Sequence, residues 1–270
     1  MATSFNKSPL IELIAELRWG LPGIPKGNPL PSMPLPIGAS DTKLDEFFMR
    51  FGGAIYADGF QNVERLVPQG FPFIPYQPVC RFRKHSSATH PALYQVGPGV
   101  FTANAIPPYK SWEVFSPIVR RGVEALLTTR RDMEHDEAFF SVSLRYINAF
   151  NSSLTQGQDV SEFVQKTLGI SIALPDALSR QIARGENPKP YLQLQLPMEN
   201  GMVMTFAIGE GLVSGESAIV MDTSVASVTS VPSDAESVMS TLNDARSAIH
   251  DMFFGLTDPI KQLMQPAEAP

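Results

Sequence analysis

The stretch Leu10-Ile11-Glu12-Leu13-Ile14-Ala15-Glu16-Leu17-Arg18-Trp19 alternates between apolar and polar side chains along its length. Ile11, Leu13, Ala15, Leu17 and Trp19 fall on one side and Glu12, Ile14, Glu16 and Arg18 on the other, the period of two that a half-buried strand requires. The theme returns between Phe139 and Phe150, where Phe140, Val142, Leu144 and Tyr146 form one face and Ser141, Ser143, Arg145 and Ile147 the other. The two stretches align as Leu17-Arg18-Trp19 against Leu144-Arg145-Tyr146, with matching apolar residues two and four positions earlier. Arg18 and Arg145 therefore take equivalent outward positions.

After the first strand, Pro22 to Pro36 holds six prolines in fifteen residues, which removes backbone donors and excludes both helix interior and central strand. An extended loop is expected. A helix should follow, capped by Ser40 or Asp41 and carrying Leu44, Phe47, Phe48, Phe51 and Ile55 at helical spacing, with Gly52-Gly53 weakening its end. Pro68 to Pro78 reads as a second loop. Val79–Lys84 and Leu93–Ala105 read as strands joined by a polar turn at Ser86–Pro91, with a bulge or bend at Gly97-Pro98-Gly99. Pro107-Pro108 stops the sheet. Ser111 can then cap a helix reaching Arg131, with Trp112, Phe115, Val119, Val123, Leu126 and Leu127 on one side and a kink expected at Pro117 unless Ser116 caps a new start.

The second half repeats that order. Asp159–Leu168 reads as a helix with Asp159 and Glu162 as a capping pair and Gly169 as its stop. Tyr191–Leu196 and Met202–Ile208 flank the hairpin signal Asn200-Gly201, Gly209-Glu210-Gly211 reads as a turn, and Ala218–Val225 adds a third strand. Ser233 with Glu236 makes a capping box for a long helix bearing Val238, Leu242, Ala245, Ile249, Phe253 and Leu256, and the tail beyond Leu263 reads as frayed. The expected fold is α+β: two pseudo-repeated strand, helix, three strands, helix units, residues 1–134 with the proline-rich insert and 135–270. Their antiparallel sheet or sheets would pack under two long helices. The other sheet face would present Glu12, Glu16, Arg18, Ser141, Ser143, Arg145, Gln193 and Gln195.

Composition narrows the classes. With 43% hydrophobic residues, 270 residues can bury one large core or two modest ones, which excludes an intrinsically disordered chain. A net charge of −6 opposes bulk attraction to nucleic acid or anionic lipid, so nucleic-acid binding is not expected. No uninterrupted apolar run suits a membrane span and no basic start precedes an apolar block, so the expected address is the cytoplasm. The single cysteine, Cys80, agrees with a reducing compartment.

Chemistry-bearing clusters are sparse. Cys80, His85 and His90 have even spacing but no fourth ligand, so no metal is expected. His135-Asp136-Glu137 reads as a solvated loop. Arg246 and His250 lie one turn apart on the last helix, an arrangement that any amphipathic helix offers. There is no phosphate-cradling glycine loop, nucleophile elbow or two-histidine metal helix, so neither catalytic residues nor a cofactor are expected.

Four segments carry a resemblance: Pro9-Leu10-Ile11-Glu12 with Glu16-Leu17-Arg18-Trp19; Tyr94-Gln95-Val96-Gly97-Pro98-Gly99; Asn104-Ala105-Ile106-Pro107-Pro108-Tyr109-Lys110-Ser111-Trp112; and Leu144-Arg145-Tyr146-Ile147-Asn148. Through most of its length the chain resembles a sporadically distributed bacterial family of uncharacterised proteins about 260 residues long, a likeness that brings no activity, cofactor or catalytic residue with it. Patchy distribution implies an accessory gene, in toxin neutralisation, phage defence or another strain-specific role. The proline-rich insert is heavier here than in the usual pattern.

The expected function is a non-enzymatic binding or adaptor protein that meets a protein partner through the sheet face and the proline-rich loops. Arg18 and Arg145 lead the expected contact residues, since paired guanidinium groups can clamp a carboxylate or phosphate. Glu12, Glu16, Tyr146, Asn148 and Tyr109 complete the set, with Glu12 and Glu16 also the expected ion-pair partners of the two arginines. The rival is a small-ligand receptor or enzyme with a pocket between sheet and long helices, lined by Trp19, Tyr146, Phe101 and methionines.

Overall fold

Alternation builds the centre of the molecule as the sequence predicts. The computed structural model describes residues 5–21, 42–84, 91–109, 111–132 and 137–266. In chain order the elements are β1 (Leu10–Trp19), α1 (Thr42–Tyr56), β2 (Asn62–Arg65), β3 (Cys80–Arg83), β4 (Ala92–Gly97), β5 (Val100–Ala105) and α2 (Trp112–Asp132). The second half continues with β6 (Phe139–Phe150), three short helical segments α3 (Ser152–Thr155), α4 (Val160–Glu162) and α5 (Asp176–Ser179), then β7 (Leu192–Pro197), β8 (Met202–Val213), β9 (Glu216–Ser227) and α6 (Ala235–Thr257).

The strands form one antiparallel sheet in the order β2-β3-β4-β5-β1-β6-β9-β8-β7. β1 and β6 are neighbours at its centre, each flanked on its other side by the last strand of its own half, β5 or β9. Mixed helices on an antiparallel sheet make the fold α+β. α2 packs on β4 and β5, and α6 on β6 and β9. The two helices run antiparallel to each other, held by the indole Nε1–H of Trp112 donating to Asn243 Oδ1 at 2.8 Å and by a two-pronged Arg120–Glu236 ion pair. One hydrophobic cluster, with Trp19, Phe51, Phe101, Phe139, Leu242 and Ile249 among its members, runs through both halves. A second cluster gathers Phe150, Phe163, Phe206 and Met221 at the far end of β6.

Local chemistry accounts for the departures from expectation. Bulges in the β1–β6 ladder lie between Leu10 and Glu12 and between Arg18 and Trp19. Each adds a residue to one strand, so Leu10 rather than Ile11, and Phe139 rather than Phe140, is the buried one. Leu93–Ala105 is a hairpin and not one bent strand: Gly97 pairs with Val100, and Gly99 takes the positive φ of 72° that the two-residue turn requires. β2 gave no sequence signal because all four of its side chains are exposed. Pro117 sits inside a continuous α2, where it withholds one backbone donor from the carbonyl a turn earlier.

In the second half, Asp159 caps α4 as expected, its side chain accepting from Glu162 N–H, but the helix relaxes into a π-helical turn over Phe163–Thr167 before Gly169 ends it. Gly209-Glu210-Gly211 is strand, not turn: a Cβ on Gly209 would come within 2.8 Å of the Tyr191 ring, and one on Gly211 within 2.8 Å of a Val220 methyl. The reversal comes later, at Ser214-Gly215. The cap of α6 is Asp234, whose carboxylate accepts from Ser237 N–H at 2.8 Å, while Ser233 faces Arg130. The tail is not frayed as far as Pro266: Met264 is buried, and Asn6 and Lys7 donate to the carbonyls of Gln265 and Met264. The Pro22–Pro36 loop, the Ser40 and Asp41 caps, and His85, His90, His135 and Asp136 lie outside the described residues.

Candidate functional site

The sheet divides the expected contact residues into two groups on opposite faces. Glu12, Glu16, Arg18 and Arg145 lie on the outer face, whereas Tyr146, Asn148 and Tyr109 lie under the helices.

On the outer face, Glu16 stands opposite Ser143, with Arg18 two residues beyond on one strand and Arg145 two residues beyond on the other. The arginines are thus four register positions apart, roughly 13 Å between Cα atoms at a strand rise of about 3.3 Å. Each already has a carboxylate partner. Arg18 Nε is 2.8 Å from Glu16 Oε1 on its own strand, and its guanidinium lies 5.9 Å from the Tyr76 ring. Arg145 donates through Nε to Asp222 Oδ1 at 2.8 Å and through a second nitrogen to Asp222 Oδ2, so its partner comes from β9 rather than from Glu12 or Glu16. Glu12 instead accepts from Asn104 Nδ2 at 2.8 Å. Thr102 and Asn104, on the outer face of β5, are buried. What stays open is a depression of about 310 Å³ over β1, β6, β9, β8 and β7 that includes both arginines and Gln193.

Under the helices the first residues of α2, the middle of α6 and the facing ends of β1, β6 and β9 do not quite meet. They leave a cavity of about 120 Å³. Leu10, Trp112, Ile249, Met252, Phe253 and Phe254 give it apolar walls, and Phe5 stacks on Phe254 at 5.4 Å between ring centres. Trp19 and Phe101, expected to line such a pocket, belong to the core instead; Tyr146 and Met252 do line it.

Polar groups converge on this cavity from separate elements. Tyr109 precedes α2 and Tyr146 is on β6, and their side chains interact through a hydrogen bond between the two hydroxyls. Burial, more than the neighbouring hydroxyl, pushes Tyr109 far above the ordinary phenol range. Burial also raises Tyr146 to about 12, against the lowering effect of its hydrogen bond with Tyr109. Arg246, from α6, is 3.8 Å from Glu113, too far for a tight pair. Glu113 is held below the usual carboxylate range first by its own backbone N–H and then by Ser111, with Arg246 a lesser influence.

Two buried atoms in the wall have no hydrogen-bond partner among the described residues: Thr223 Oγ1, on a residue with 0% exposure, and His250 Nε2, whose ring lies tilted against Phe254 at 4.3 Å between centres. Thr223, Glu113, Ser8 and Phe5 were not legible as site residues, because only strand pairing and helix packing bring them together. Arg246 and His250 were visible as a pair one turn apart, without any sign of what they faced. Among the described residues no group of histidine, cysteine and carboxylate side chains could hold a metal ion, and no helix is long and apolar enough to cross a membrane. No protein family, curated protein or solved structure matches the chain.

Proposed function

We propose that the protein is a receptor for a small amphipathic acid, bound in the cavity between α6, the start of α2 and the β1–β6–β9 sheet. One observation carries this reading: Thr223 Oγ1 and His250 Nε2 are buried in the cavity wall with no partner among the described residues, and buried polar atoms left unpaired cost about 1–3 kcal/mol each unless something else satisfies them. Size supports a single ring or a short chain, since about 120 Å³ is close to the roughly 150 Å³ of a cavity that takes benzene. Charge supports an acid: Arg246 is the arginine among the described residues of the wall, and Glu113 engages it only loosely. The ligand's carboxylate would meet Arg246, its body the rings of Phe253 and Phe254, and a polar substituent Thr223 or Tyr146.

The test uses benzoate and hexanoate as probes, read by chemical shifts of the full chain and by calorimetry, beside mass spectrometry of what leaves the protein purified from its native host. Saturable binding that R246M and T223V abolish, while both variants keep their fold, supports the receptor. T223V should stabilise the ligand-free protein by about 1 kcal/mol, because it removes an unpaired buried hydroxyl. No bound molecule and no probe binding would remove the proposal.

The adaptor reading keeps one supporting observation, the outer-face depression of about 310 Å³ that holds Arg18 and Arg145. It is the weaker of the two, because a partner carboxylate would have to displace Glu16 and Asp222 from arginines whose Cα atoms stand roughly 13 Å apart. An accessory bacterial role rests on the resemblance alone. We also read the halves as repeated units. Support comes from the antiparallel β1–β6 pair, from β5 and β9 in like positions beside it, and from a long helix ending each half. On that reading the local two-fold axis passes between Glu16 and Ser143, and the cavity lies where the two units join.

A further inference from the structure

The two edges of the sheet are built differently, and independently of the cavity this says what one of them meets. β2, at one edge, carries Glu64 and Arg65, which pair with Arg81 at 3.1 Å and Asp45 at 3.0 Å; charged side chains of this kind discourage another strand from adding on. β7, at the other edge, reads Leu192-Gln193-Leu194-Gln195-Leu196-Pro197, has no charge, and meets no further strand among the described residues. Leu194 and Leu196 stand opposite buried Phe206 and Met204, on the helix side of the sheet, yet they are 39% and 44% exposed. An uncovered, uncharged strand of alternating leucines is an open template.

Its sequence also selects the partner. Leu192 to Leu196 reads the same in both directions, so antiparallel pairing with itself about Leu194 sets leucine against leucine on the helix side and glutamine against glutamine on the outer side at every position. A two-fold interface needs this self-complementarity, and a chance protein partner would not. We infer that β7 pairs with β7 of a second copy of this chain, joining two sheets into one across a two-fold axis at Leu194. The new ladder supplies roughly four to six backbone hydrogen bonds and covers Leu194 and Leu196 of both copies.

Sedimentation of the full chain over a range of concentrations tests this. A dimer is expected. L194K and L194E should each weaken it about tenfold or more, because both place like charges face to face on the axis. Mixing the two variants should restore the dimer, which shows that each is folded, and V63K on the opposite edge should change nothing. A monomeric full chain, a dimer indifferent to L194K, or a mixture that stays monomeric would each overturn the inference.

Discussion

The guanidinium of Arg130 lies 4.5 Å from the ring centre of Phe139 and 4.8 Å from that of Trp19, two rings set edge to face with their centres 6.4 Å apart. Arg130 is 1% exposed and also donates to the Glu137 carbonyl at 2.7 Å and to Ser233 Oγ at 3.3 Å. One side chain of α2 thus touches the last residue of β1, the first of β6 and the approach to α6. Replacing it with alanine removes two cation–π contacts and leaves a carbonyl and two rings without their partner, for about 2–4 kcal/mol in chemical denaturation. Lysine, a point charge on a flexible stem, should recover less than half of that. A loss under about 1 kcal/mol for R130A would show that the clasp is incidental.

Adjacent glycines in α1 should respond in opposite directions. A Cβ on Gly52 would sit 2.8 Å from the Phe82 ring, so G52A must push α1 off the sheet or turn a fully buried phenylalanine, destabilising by about 1–3 kcal/mol. Nothing lies within 4 Å of a Cβ on Gly53, so G53A should stabilise by about 0.5–1 kcal/mol through helix propensity alone. Thermal unfolding of the two variants decides it. Equal effects of the same sign would contradict the close approach of α1 to β3.

That pair also shows what was legible. Both glycines read as weak points of a helix, since propensity is local; that Gly52 is needed for close packing is a fact about Phe82, thirty positions away in the chain. β1 and β6 were readable because one face of each is buried, and α2 and α6 because their apolar stripes are long. Bulges moved Leu10 and Phe139 inward against the alternation, and a bulge has no composition of its own. In the site, the motifs point to Tyr109, Tyr146 and Asn148 together with Arg18 and Arg145. A strand's neighbours alternate between faces, so Arg145 and Tyr146 necessarily part company. Thr223 could be placed in the cavity only through its pairing with Tyr146.

On the outer face, breaking the Arg145–Asp222 pair should matter little to folding. The side chains are 46% and 30% exposed, and solvent screens such pairs to within about 1 kcal/mol. D222N should therefore shift the denaturation midpoint slightly, with the difference shrinking in high salt. A salt-independent loss above about 2 kcal/mol would mean that the depression is sealed in solution and unfit for any partner.

Alkali should unfold the protein by way of groups that the fold keeps protonated. Burial raises the Cys80 thiol to about 11, from an ordinary value near 9, and Tyr146 to about 12, and it raises Tyr94, whose hydroxyl donates to the Ile118 carbonyl at 2.6 Å, and Tyr109 further still. Each group releases its proton more readily once unfolded, so the native state binds more protons in the window between the two values. Stability from these groups is fully present below about pH 9 and is lost as pH rises toward 12. Native phenolate absorbance should lag behind that of the denatured chain over the same window. Y146F should flatten the pH dependence of stability, and the Cys80 thiol should resist alkylation at pH 8, where only about a thousandth of it is thiolate. A stability curve flat to pH 12, or rapid native-state alkylation of Cys80, would place these groups in water rather than in the core and cavity wall.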